Sequence, residues 1–143
     1  MLVQNYSNLT LEDVVLRGTS TDTYVLSNNF GEIHLKGNTQ ILAVDPNVAF
    51  DVWYGLNKNG DYDDGVSVYI DDPTVVIQGK VEFGKQGRAS EELFLERAHL
   101  YVCDGYDLDS LNIVSSSAAP GYTFHWEKAD NGMWSLIATP VAG

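Results

Sequence analysis

Asn8-Leu9-Thr10-Leu11-Glu12-Asp13-Val14-Val15-Leu16-Arg17-Gly18 places Leu9, Leu11, Val14 and Leu16 as two alternating apolar pairs around a short polar corner. Apolar residues two apart put their side chains on one face of a strand, whereas a helix needs spacings of three and four. The same alternation runs through Ile33-His34-Leu35, Val66-Ser67-Val68-Tyr69-Ile70, Val75-Val76-Ile77, Val81-Glu82-Phe83, Leu93-Phe94-Leu95, Leu100-Tyr101-Val102 and Leu111-Asn112-Ile113. Gly, Asn and Asp punctuate these runs, as at Asn28-Asn29-Phe30-Gly31 and Lys36-Gly37-Asn38. The one helical signal is Ser90-Glu91-Glu92, an N-cap with acidic first-turn residues, and it allows a single short turn. The chain reads as all-β.

Hairpins want two-residue Asn-Gly or Asp-Gly loops between mirrored strands, and few occur in the first hundred residues. What recurs is the unit of two inward pairs around a corner. Leu93, Leu95, Ala98 and Leu100 reproduce the spacing of Leu9, Leu11, Val14 and Leu16. Val75, Ile77, Val81 and Phe83 match with one extra corner residue, and Ile33, Leu35, Thr39 and Ile41 match more weakly. Units starting at 9, 33, 75, 93 and 111, with Phe50-Asp51-Val52 inside the long interval, give a period near twenty residues. Corners in place of reversals point to a parallel β-solenoid. About five coils, rising ~4.8 Å each, make a stub roughly 25 Å long. The alternative is an antiparallel β-sandwich of similar strand count.

The tail differs. Gly121 to Trp126, then Glu127-Lys128-Ala129-Asp130-Asn131-Gly132, then Met133-Trp134-Ser135-Leu136-Ile137 read as a hairpin closing on Asn-Gly. Ser115-Ser116-Ser117-Ala118-Ala119-Pro120 before it is linker-like. The expected organisation is coils over 1–114, then linker and hairpin cap over 115–143, within one domain. A solenoid end exposes strand edges that need cover, so Trp126 and Trp134 read first as cap residues and second as a carbohydrate platform.

Residues 8–18 resemble the "NLTLENVTLxG" coil of right-handed parallel β-helix repeats, which occur in bacterial surface proteins of adhesin type and in phage proteins. Thr23 to Asn29, Gly37-Asn38-Thr39, Val48 to Val52, Gly65 to Val68 and Gly79 to Glu82 continue the likeness, over roughly residues 5–113. The tail is similar to a "YxFxWxxxxDGxWxL" hairpin that ends many bacterial surface modules. The resemblance implies a short right-handed β-helix with extracellular, cell-surface or virion-associated use. Met1-Leu2-Val3-Gln4-Asn5 does not read as a secretory signal, so such a location implies a larger parent chain or another export route.

The chain of 143 residues carries 8 Lys+Arg against 20 Asp+Glu, a net charge of −12. An acidic chain without a basic stripe is no nucleic-acid backbone binder, and no run is long enough for membrane insertion. The single cysteine, Cys103, cannot form an internal disulfide and reads as packing.

The densest polar cluster is Asn57 to Gly65. Asn57, Asn59, Asp61 and Asp63 offer oxygen ligands at alternate positions, the pattern a Ca²⁺ loop uses. Tyr62 at the sixth position and Val68 at the twelfth depart from an EF-hand; the plainer reading is a solvated acidic excursion. Trp53, Tyr54, Tyr62, Trp126 and Trp134 are the candidate binding aromatics. Lys80, Lys85, Arg88 and Arg97, near Asp71 and Asp72, are the only basis for a calcium-assisted polysaccharide lyase, and a field of net −12 opposes an anionic substrate. His34, His99 and His125 are too scattered for a metal site, and His34 and His99 fall on outward positions. The leading expectation is a non-enzymatic stalk or adhesin that contacts a protein or glycan through loops and outer faces. The lyase and a self-assembling homo-oligomer follow it.

Overall fold

The computed structural model describes residues 2–5, 7–28, 32–54, 67–85, 99–115 and 122–140. Its strands are β1 (Val3–Asn5), β2 (Asn8–Glu12), β3 (Val15–Arg17), β4 (Tyr24–Asn28), β5 (Glu32–Lys36), β6 (Gln40–Leu42), β7 (Val48–Tyr54), β8 (Ser67–Ile70), β9 (Val76–Gln78), β10 (Lys80–Lys85), β11 (His99–Val102), β12 (Asn112–Ser115), β13 (Tyr122–Lys128) and β14 (Trp134–Pro140). A single 3₁₀ turn, Leu108–Ser110, is the only helical element among the described residues. The all-β reading holds.

These strands make three sheets, and the chain visits them in rotation. The first has the order β1-β4-β7-β10-β12, the second β13-β14-β11-β8-β5-β2 and the third β3-β6-β9. Every pairing among β1 to β12 is parallel, so the antiparallel sandwich is not what the chain builds. Parallel neighbours need a crossover, and two short strands in the other sheets provide it, save between β10 and β12, where β11 and the 3₁₀ turn stand among the described residues.

Registers run through the stack, with one shift between β7 and β10 at Lys80/Val81. Leu9, Ile33, Val68 and Leu100 share one row of the second sheet, and Leu11, Leu35, Ile70 and Val102 share the next inward row. Leu26, Phe50, Val81 and Ile113 form a row in the first sheet; Leu16, Ile41 and Ile77 form one in the third. Side chains from all three sheets meet in one apolar cluster, in which Leu26, Ile33, Leu35, Ile41, Phe50, Ile70 and Leu100 are fully buried. Each such side chain contributes about 1.5–3 kcal/mol by leaving water, so these rows hold the sheets together. β5 and β9 bury every second residue, whereas β4 and β7 bury consecutive ones, Val25 to Ser27 and Val48 to Phe50.

These registers correct the sequence-derived repeat. Leu100 stacks in the row of Leu9, not of Leu16, and Ile77 belongs to the third sheet while Val81 belongs to the first. Ile33 to Val68 is one circuit, not two. Circuits span 23 to 36 residues, above the expected twenty. Strands of all three sheets supply inward aliphatic residues, so the spacing alone does not say which sheet a strand joins. The alignment of Ile33, Leu35 and Ile41 on Leu9, Leu11 and Leu16 is correct.

Corners between the second and third sheets are tied by side chains. Asp13 and Gly37 follow the paired residues Glu12 and Lys36, and both adopt left-handed backbone, with φ of 56° and 62°. The Asp13 carboxylate accepts from the Asn38 N–H at 2.8 Å, and Asp72 accepts from the Gly37 N–H at 2.6 Å. Thr39, fully buried, accepts from the Val14 N–H at 3.3 Å, and its Oγ1 lies 2.7 Å from the Lys36 carbonyl and 3.0 Å from that of Leu11. A buried corner leaves peptide groups without sheet partners, and these side chains supply them.

The tail forms the expected hairpin. β13 and β14 pair antiparallel around Ala129–Met133, where Gly132 has φ of 88° and Asn131 Oδ1 accepts from the Met133 N–H at 3.0 Å. β14 then pairs antiparallel with β11, with Tyr101 opposite Ser135 and Val102 opposite Trp134, so the hairpin continues the second sheet beyond β11.

Candidate functional site

The outward face of the second sheet carries the densest described group of interacting side chains. In each strand one residue lies between the two inward aliphatics: Thr10 in β2, His34 in β5, Tyr69 in β8 and Tyr101 in β11. In-register parallel strands lie ~4.8 Å apart, close to the separation at which flat rings stack. The His34 and Tyr69 rings accordingly lie 4.4 Å apart and 5° from parallel, and Tyr69 and Tyr101 lie 4.9 Å apart at 19°. Burial raises the pKa of the Tyr101 phenol, and the neighbouring Tyr69 adds to the effect.

Carboxylates fix the histidine end of this ladder. His34 Nδ1 is 2.7 Å from Asp71 Oδ2, and Nε2 is 3.2 Å from Glu32 Oε2. With both ring nitrogens engaged, neither is turned to a substrate, so the ring is held in place and not presented as a general base. The other end of the ladder meets the hairpin. Tyr69 and Tyr101, with Ala129, Asn131, Met133 and Ser135, line an open cleft of about 280 Å³. Beside it Lys128 Nζ pairs with Asp104 at 3.1 Å and lies 5.6 Å from the Trp134 ring centre.

Of the binding aromatics expected from sequence, Trp126 and Trp134 are half-buried and pack against the core cluster, together with Phe124. Trp53 and Tyr54 lie in β7; their side chains, and all of Tyr62, fall outside the described residues. The proposed calcium loop, Asn57, Asn59, Asp61 and Asp63, also lies outside them. Among the described residues no group of three or more His, Cys, Asp or Glu is arranged to hold a metal ion.

The residues considered for lyase chemistry do not come together among those described. Lys80 stands in the first sheet, whereas Asp71 and Asp72 follow β8 of the second and bond His34 and the Gly37 N–H. Arg88 and Arg97, and the side chain of Lys85, lie outside the described residues. Cys103 is half-buried; burial first, and then the charge of Asp72, raises its thiol pKa, which disfavours the nucleophilic thiolate.

The sequence reading did not assemble the ladder. Its signal was present in Ile33-His34-Leu35, Val68-Tyr69-Ile70 and Leu100-Tyr101-Val102, three aliphatic–aromatic–aliphatic triplets that the register superposes. Compared with known proteins, the chain matches no family model, no curated protein and no solved structure at a significant level.

Proposed function

We propose that the chain is a short right-handed parallel β-helix acting without catalysis, as a stalk or adhesin-type module of a cell surface or virion that contacts a glycan. Three sheets visited in rotation around one core, with every pairing among β1 to β12 parallel, support the helical reading. Parallel β–crossover–β connections are right-handed in about 98% of cases, which supports the hand. The likeness of residues 8–18 to β-helix repeats supports the setting.

One observation carries the functional reading: a stacked aromatic ladder on the outward face, ending at an open cleft, with its histidine bonded by two carboxylates. Within the stack each ring covers its neighbour's face, so the ladder shows ring edges along its length. It ends on Tyr101 beside the cleft, where a ring-shaped ligand can pack with little loss of conformational entropy. Its test applies the whole protein to a glycan array and, in parallel, follows ultraviolet absorbance over pectin-type polyuronate. The expected result is retention on particular glycans with no unsaturated product. Product formation contradicts a non-catalytic module, and an array without any retained glycan contradicts the ligand class.

A further inference from the structure

The outward row of the second sheet runs Thr10, His34, Tyr69, Tyr101 and then, across the antiparallel pairing, Ser135 of β14. Three successive rungs carry rings; the next carries a hydroxymethyl group. Around that small rung stand Ala129, Asn131 and Met133 of the hairpin turn, and the cleft of about 280 Å³ opens between them and the two tyrosines. The hairpin thus does more than cover an edge. It substitutes a serine where another ring would continue the stack, and walls the resulting space.

Chemistry of the walls selects the occupant. All six lining side chains are uncharged and Lys128 beside them is paired with Asp104, so a charged ligand entering the cleft would lose water without gaining an uncompensated counter-charge. Anions are opposed further by the net charge of −12. The walls offer the Asn131 amide N–H groups and the Ser135 hydroxyl oxygen for hydrogen bonds, together with ring and thioether surface for apolar contact. The Asn131 Oδ1 and the Ser135 O–H are engaged with the Met133 N–H and the Glu127 carbonyl. A pyranose ring matches this set, with C–H groups on a face and hydroxyls around its edge. Pockets for drug-sized ligands run about 300–1,000 Å³, so a space this small takes one sugar residue and not an extended chain.

We propose that the cleft between the end of the aromatic ladder and the hairpin turn binds one neutral pyranose residue of a glycan, seated at the level of Ser135. This rests on the glycan-contacting reading above and assigns it a place and a charge class.

The test is an amide-resolved NMR titration of the whole protein with methyl glucopyranoside, methyl galactopyranoside and methyl mannopyranoside, with galacturonate as the charged control. The expected result is saturable shifts at Tyr69, Tyr101, Asn131 and Ser135 with at least one neutral glycoside, and a response to galacturonate about tenfold weaker or absent. Ser135→Phe supplies the missing ring, so it should keep the fold and abolish the response. Met133→Ala, on the turn and away from the core rows, should weaken the response without altering the fold, and it serves if Ser135→Phe does not fold. Glycans retained on the array by the parent and by both variants alike would overturn the cleft as the site while leaving the adhesin reading intact. Shifts at the cleft with a tyrosine-bearing peptide and none with any sugar would overturn it in favour of a protein side chain. Failure of every glycan, on the array and in the titration, removes both readings.

Discussion

Gly37 shows how tightly a single corner position is specified. Its φ of 62° lies in the region that L side chains avoid, and a Cβ added there would collide with the Asp13 carboxylate of the corner alongside. Gly105 is a natural control, since its φ is 88° but nothing lies within 4 Å of an added Cβ. Gly37→Ala is therefore expected to cost about 1–3 kcal/mol, and more than Gly105→Ala, in paired urea titrations. Equal losses would mean that the corner adjusts freely. Thr39 makes the complementary point, because its buried hydroxyl serves the Val14 N–H and a carbonyl of the adjoining turn. Thr39→Val keeps the shape but orphans those groups, and should cost about 1–3 kcal/mol by the same measurement. In sequence Thr39 looked only like a weak match to an aliphatic position. Nothing local signals that a polar residue there faces inward to satisfy a corner.

Within the elements, the alternation was legible and the partnering was not. Leu9 and Leu11, Ile33 and Leu35, and Leu100 and Val102 were each readable as inward pairs, and Asn131-Gly132 was readable as a hairpin turn. Which strand stacks on which depends on the lengths between them, and residues 55–66 and 86–98 lengthen two circuits without altering the pattern inside any strand. The ladder shares that fate: His34, Tyr69 and Tyr101 lie 35 and 32 residues apart and meet only through register. Stacked ring pairs contribute about 0.5–1.5 kcal/mol each, so Tyr69→Ser, which removes the central ring, should cost about 1–3 kcal/mol in thermal or urea unfolding. It should also weaken the near-ultraviolet circular dichroism of the folded protein. An unchanged midpoint and spectrum would show that the rings do not stack in solution.

At the scale of the whole molecule, the pKa shifts give stability an upper pH limit. Burial raises the Cys103, Tyr101 and Tyr106 pKa values, so the unfolded chain releases these protons before the folded chain does. Unfolded thiols and phenols titrate at about 8.5 and about 10, so their contribution is intact below that range and lost as pH rises through it towards the folded values. Melting temperature should fall above about pH 9, and Cys103→Ser should delay the onset towards the phenol range. A flat profile through that range would contradict these burials. The central claim is that the chain climbs in one direction, stacking Leu9, Ile33, Val68 and Leu100 in parallel rows. Cross-strand nuclear Overhauser contacts in solution test it most directly. The account predicts amide-to-Hα contacts linking residues 33–35 to 68–70 and 68–70 to 100–102 in parallel order, whereas close Hα–Hα contacts in reversed order between those segments would contradict it.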